Sequence, residues 1–246
     1  MARKIEIYPT KLELVQAVAE KITAVIKEST RARGRCSIAL AGGSTPRDVY
    51  ALLATESYQK RIDWKNVYLF WDDERTVPPD HSDSNYRMVQ EALLRHIPIP
   101  EENVFRMRGE MEPETAAAEY AGLLKKFFAG KWPRFDLILL GVGEDGHTAS
   151  LFPGTSALLE TKKEVTAVFV PKFNAWRITL TLPVLNAARN VMFIVSGRSK
   201  SEITQRVVNV GQPDKELPAT LIYPQKGFLY WILDSESAAL LNIEKA

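Results

Sequence analysis

Cysteine is nearly absent from this chain of 246 residues: Cys36 is the single one, which excludes an intrachain disulfide. It opens an apolar stretch and reads as a small core residue, as expected of a protein from a reducing compartment, so a cytoplasmic location is expected. No apolar run approaches the roughly 20 residues that cross a bilayer. The opening Arg3-Lys4-Ile5-Glu6-Ile7 lacks the sustained apolar core of a secretion signal. Charge of one sign is missing too: 32 Lys and Arg face 30 Asp and Glu, a formal net charge of +2. Such a balance gives nucleic acid no basic stripe, and neither a membrane nor nucleic acid is expected as a partner. No Gly/Ser linker, internal repeat or low-complexity tract divides the sequence. Residues 1–246 are therefore expected to form one domain, taken as a monomer.

What is present is an alternation of helical and apolar segments. Leu12, Val15, Val18, Ala19, Ile22, Val25 and Ile26 recur at spacings of three and four, which predicts an amphipathic helix over 11–27. The first strand is expected at 36–41, followed by a glycine loop and a helix opened by Pro46. Further strands are expected at 67–71, 135–140, 164–170, 178–182, 191–196 and 228–233. Helices are expected at 85–94, 114–128, 200–208 and 235–241. Short apolar strands alternating with helices imply an α/β fold: a doubly wound, mainly parallel sheet with helices on both faces, a Rossmann-like three-layer arrangement.

Several strands end in residues that carry chemistry, and in such sheets ligands bind beyond the carboxyl ends of the strands. The run 135–140 empties into Gly141-Val142-Gly143-Glu144-Asp145-Gly146-His147. This satisfies the G-x-G-x-x-G pattern of dinucleotide sites, but that pattern needs a helix starting at its glycines. Phe152-Pro153-Gly154 stops helices, so no nicotinamide or flavin cofactor is expected. Of the three histidines, His81, His96 and His147, only His147 follows a buried strand inside a glycine turn. An imidazole there can take a proton from water and return one to a leaving oxygen, or it can simply satisfy the turn's hydrogen bonds. Asp145 either orients it or holds the turn.

Gly42-Gly43-Ser44-Thr45-Pro46 offers flexible backbone, two hydroxyls and a helix N-terminus, which suit a phosphate. The Walker spacing and its lysine are absent, so a phosphosugar fits better than a nucleotide. Ser196-Gly197-Arg198-Ser199-Lys200 repeats this design, with Lys200 as a full positive charge or as an ordinary solvated lysine. Arg75 and Arg177 are further cations near strand ends. Asp72, Asp73, Glu74, Asp80, His81 and Asp83 match neither a zinc site nor an EF-hand loop, and no metal is expected. No serine sits in a G-x-S-x-G elbow, Ser150 included, which leaves water as the attacking group.

Taken together, four segments in order resemble the 6-phosphogluconolactonase family, in the superfamily that also holds glucosamine-6-phosphate deaminase/isomerase. They are 41–46; 71–75 with 83–88; 141–153; and 177–181 with 196–200. The resemblance implies cofactor-free hydrolysis of 6-phospho-D-glucono-1,5-lactone in the oxidative pentose phosphate pathway. It implies His147 as general base, with Asp145 or Asp73 assisting. Gly42, Gly43, Ser44, Thr45, Arg75, Arg177 and Lys200 would bind phosphate or polarise the carbonyl. The deaminase/isomerase pattern places a glutamate five residues beyond the histidine and a tyrosine at the arginine position, where this chain has Phe152 and Arg75. A non-catalytic phosphosugar sensor is the other alternative, but no helix-turn-helix with a basic face accompanies the domain. One departure stands out: the family often has prolines before Arg177-Ile178-Thr179-Leu180-Thr181, whereas this chain has Phe173-Asn174-Ala175-Trp176.

Overall fold

A computed structural model describes residues 2–210 and 212–241. The described elements run β1 (Ala2–Tyr8), α1 (Lys11–Arg33), β2 (Cys36–Leu40), α2 (Ser44–Leu53), α3 (Glu56–Gln59), β3 (Val67–Trp71), β4 (Asp73–Arg75), α4 (Asn85–Ala92), α5 (Pro113–Phe127), β5 (Leu137–Leu140), β6 (Val165–Val170), β7 (Ala175–Leu180), α6 (Leu182–Ala187), β8 (Asn190–Val195), α7 (Ser201–Asn209) and β9 (Phe228–Asp234). Six strands pair in the order β1-β9-β8-β5-β2-β3, and every pairing is parallel. This is the α/β architecture that the alternating pattern implies.

Local chemistry sets the boundaries. Thr10 and Glu13 form a reciprocal capping box at the start of α1, and Gly34, at φ 73°, ends the helix in the left-handed conformation. The buried face of α1, with Leu14, Val18, Ile22 and Ile26, packs toward the sheet. All residues of β2 and β5 are buried, as strands covered on both faces must be. Phe193 stacks on Trp231 at a centroid distance of 4.0 Å across β8 and β9.

The chain moves outward from β2 to β3 and then returns to the other side of β2 to form β5. Right-handed crossovers therefore put α1 and α2 on one face and α5 and α7 on the other. The loops leaving β2 and β5 diverge to opposite faces and open a crevice between them, the usual ligand position in such sheets.

Four expectations need correction. The first strand is β1, not β2: residues 2–8 pair in register with β9, from Ala2↔Phe228 to Tyr8↔Asp234. As an edge strand β1 has no fully buried residue among 3–8, so it carries no continuous apolar signal. Second, β6 and β7 leave the main sheet and join β4 in a separate antiparallel sheet, ordered β4-β7-β6. Third, residues 235–240 form turns, not a helix. Asp234 accepts the Ser237 amide at 2.7 Å and the Gly197 amide at 3.0 Å, holding the segment against the β8 loop. Fourth, α2 begins at Ser44, so Pro46 is its third residue rather than its first.

Candidate active site

Beyond the carboxyl ends of β2, β3, β5 and β8 lies a cleft of about 770 Å³. Gly42, Gly43, Ser44, Thr45, Asp73, Arg75, His147, Arg177 and Lys200 all line it. Among the residues expected at the site, Asp145 alone lies behind the wall, where it contacts the base candidate.

His147 is held from three directions. Its Nδ1 meets Asp145 Oδ1, and its backbone amide donates to the same oxygen at 3.2 Å. Lys172 Nζ donates to Asp145 Oδ2 at 2.8 Å. Burial alone would raise the Asp145 carboxyl; the bonds from His147 and Lys172 outweigh it and hold the group well below the usual carboxylate range. An ionised carboxylate only accepts hydrogen bonds, so Nδ1 is the ring nitrogen that donates to Asp145, and in the neutral imidazole the lone pair then sits on Nε2. The third contact is Phe152, whose ring stacks on the imidazole at 4.0 Å. Gly143 makes room beneath: a Cβ there would lie 2.0 Å from the His147 ring. After Gly146 the chain forms a Thr148–Leu151 bridge and turns, with no helix at the glycines. The dinucleotide geometry is therefore not built. Ala149 lines the cleft in the left-handed conformation, φ 46°, a costly backbone for a residue with a Cβ.

On the opposite wall, β4 and α4 form one polar unit. The Glu74 carboxylate accepts the amides of Asn85 and Tyr86, both at 2.8 Å, and fixes the start of α4. Asn85 Nδ2 then donates to Asp73 Oδ1 at 2.9 Å, while Ser150 Oγ donates to Asp73 Oδ2 at 2.6 Å. Asn85 also explains Gly42, because a Cβ on Gly42 would fall 2.1 Å from Asn85 Oδ1. Burial, with Asp73 adding repulsion, pushes the Asp72 carboxyl far above its ordinary value.

The cations converge without carboxylate partners. Arg75 and Arg177 face each other across the β4–β7 pair, an arrangement of like charges that destabilises a sheet unless an anion sits between them. Burial and the neighbouring Arg75 push the Arg177 guanidinium below its ordinary value. Among the described residues, the Arg75 guanidinium donates to the Asp83 carbonyl alone, at 2.6 Å, and that of Arg177 to the Trp176 carbonyl alone, at 3.0 Å. Among the described residues, no carboxylate lies within 4.0 Å of the Arg75 or Arg177 guanidinium or the Lys200 ammonium group. The N-terminus of α2 adds to this field: Gly43, at φ 106°, precedes it and supplies no side-chain cap. Its first amides are left for an anion. The described residues contain no group of three or more metal-ligating side chains, and no described helix is long and apolar enough to cross a membrane.

A family model described as glucosamine-6-phosphate isomerases/6-phosphogluconolactonase matches residues 9–231. The chain belongs to this family. Among its relatives in the family, the human 6-phosphogluconolactonase is 40% identical over 94% of this chain and 89% of its own. The Synechocystis 6-phosphogluconolactonase is 39% identical over 98% of this chain and 100% of its own. The solved 6-phosphogluconolactonase of Trypanosoma cruzi superposes with a TM-score of 0.86 at 31% identity, covering 99% of each chain.

Three residues buttress the candidate site in ways that the sequence reading missed. Lys172 gave no signal, because it is a lone lysine at a hairpin tip. Ser150 was weighed only as a nucleophile, and Asn85 lay unremarked inside the 83–88 motif; the position of Asn85 as the first residue of a helix following an acidic strand end is the cue that could have singled it out. The segment at 173–176 is explained by Asn174, whose left-handed φ of 46° turns the chain into β7. Arg177 consequently faces the cleft without a preceding proline.

Proposed function

We propose that this chain hydrolyses 6-phospho-D-glucono-1,5-lactone to 6-phosphogluconate, as in the oxidative pentose phosphate pathway, with His147 activating water. The names and full-length similarity of the relatives support the reaction. The observation that carries the mechanism is His147 with Nδ1 committed to Asp145, in a cleft that also holds three cations free of carboxylates.

In this reading Nε2 removes a proton from water as its oxygen attacks the lactone carbonyl. Negative charge grows on the carbonyl oxygen, where a guanidinium stabilises it. Collapse breaks the bond to the ring oxygen, which takes the proton back from the imidazolium. The Gly42–Thr45 turn and Lys200 hold the distant phosphate and so orient the carbonyl. Asp73, already bonded by Asn85 and Ser150, keeps the opposite wall in place.

Loss of freshly generated lactone above its spontaneous hydrolysis tests this directly. His147→Ala should lower turnover by about 10²–10⁴-fold, the usual worth of a general base, while phosphosugar affinity survives. Wild-type turnover by the variant would remove His147 from the role. Ammonia release from glucosamine 6-phosphate, measured alongside, would transfer the assignment to the deaminase branch. Phe152 stands where that pattern has its glutamate.

A further inference from the structure

The hairpin between β6 and β7 reaches the base from two sides with consecutive residues. Lys172 bonds Asp145 Oδ2 at 2.8 Å, and Asp145 Oδ1 holds His147 Nδ1. Phe173 packs edge-on against Phe152 at 5.7 Å, and Phe152 stacks on the imidazole. Lys172 Nζ itself lies 5.5 Å over the Phe173 ring, and Asn174 closes the turn in the left-handed conformation.

We propose that Lys172 is a positioning residue for the reaction: acting through Asp145, it fixes the orientation and proton placement of His147 from the tip of the β6–β7 hairpin. The inference rests on the reading of His147 as general base. Asp145 has two oxygens, and each has its own partner, so the carboxylate cannot rotate without breaking a bond. A lysine on the outer oxygen also opposes protonation of the carboxylate and offsets the negative charge that Asp145 presents to the ring. Without Lys172, Asp145 would face the imidazole unopposed and favour its charged form, which cannot accept a proton.

Other titratable and charged groups face the same cleft: Asp72 after β3, Asp73 and Arg75 from β4, Asp83 ahead of α4, Arg177 from β7, and Lys200 ahead of α7. Lys172 differs from these in touching Asp145, the carboxylate that holds the ring. As an ion pair it contributes little to folding, because half-exposed pairs of this kind are screened by water. Its role is directional.

The test compares Lys172→Met and Lys172→Arg with wild type in the full chain. The His147 titration is followed by NMR, and the acid limb of kcat/KM for the lactone is measured in parallel. Removing the positive charge should move the imidazole titration upward by about half a pH unit. The acid limb should shift by the same amount, kcat/KM should fall several-fold below neutral pH, and Lys172→Arg should restore all three. An unmoved His147 titration in a folded Lys172→Met variant would overturn the proposal. Failure of the general-base reading shows separately, as lactone turnover surviving in His147→Ala, and the NMR arm still decides whether Lys172 governs the ring.

Discussion

Gly143 shows how a single hydrogen atom in place of a methyl group can decide a site. Its missing Cβ would overlap the His147 ring at 2.0 Å, below any contact that real atoms make. The ring cannot retreat easily, because Phe152 stacks on it and Asp145 holds Nδ1. Gly143→Ala should therefore swing the imidazole out of place and cut lactone turnover by at least about 10²-fold. Stability should change by only about 1–3 kcal/mol, the range for overpacking at one position. Retained turnover in a steady-state assay, with the Tm unchanged, would mean that the loop relaxes around the methyl. At this scale the sequence was informative where residue types are scarce: one histidine in a glycine turn and three cations near strand ends were legible, although Arg177 lies inside β7. The partners that hold them were not. Lys172 reaches Asp145 from 27 positions away, and nothing in local composition distinguishes it from other solvated lysines.

Elements tell a similar story about which signals travel in a linear pattern. Buried strands such as β2 and β5 announce themselves as apolar runs, whereas β1 is an edge strand tied down by charge. Its Glu6 accepts from Lys4 and Lys21, both at 2.9 Å, and from the Tyr8 hydroxyl at 2.8 Å. Burial pushes the Glu6 carboxyl up, but these bonds prevail and lower it from 4.5 to about 2. The sign follows: a depressed carboxylate stabilises the fold above its ordinary value, and the contribution is lost as pH falls toward the folded one. Glu6→Gln should cost about 0.5–1.5 kcal/mol at pH 7. The difference from wild type should shrink between pH 4.5 and about 2; urea midpoints at pH 7 and pH 3 check this, and a gap that stays constant would disprove it. The second sheet was also illegible in sequence, for a geometric reason. Alternation identifies β6 and β7 as strands but carries nothing about which strands they pair with, and β4 is only three residues long.

Across the whole molecule, the site gathers groups from position 42 to position 200, so a ligand there ties together strand ends that meet only in the folded state. Arg75 and Arg177 oppose each other across the β4–β7 pair, and an anion bound between them would relieve the repulsion. On the proposed reading, binding and stability are thus linked, because a phosphosugar held between the two guanidinium groups would offset their repulsion. Product 6-phosphogluconate at about 100 times its Kd should add about 2.7 kcal/mol to stability, which for a chain of this size raises Tm by roughly 5–11 °C. Arg177→Met separates the two halves of this linkage. It removes one of the opposed charges, so the ligand-free Tm should stay level or rise, while the ligand-induced shift falls by at least half. High salt should blunt the wild-type shift more than that of the variant, because screening weakens the attraction of each cation for phosphate. A ligand-free Tm that drops in Arg177→Met, with the full ligand shift retained, would show instead that Arg177 serves the second sheet through packing and leaves the anion to Arg75 and Lys200.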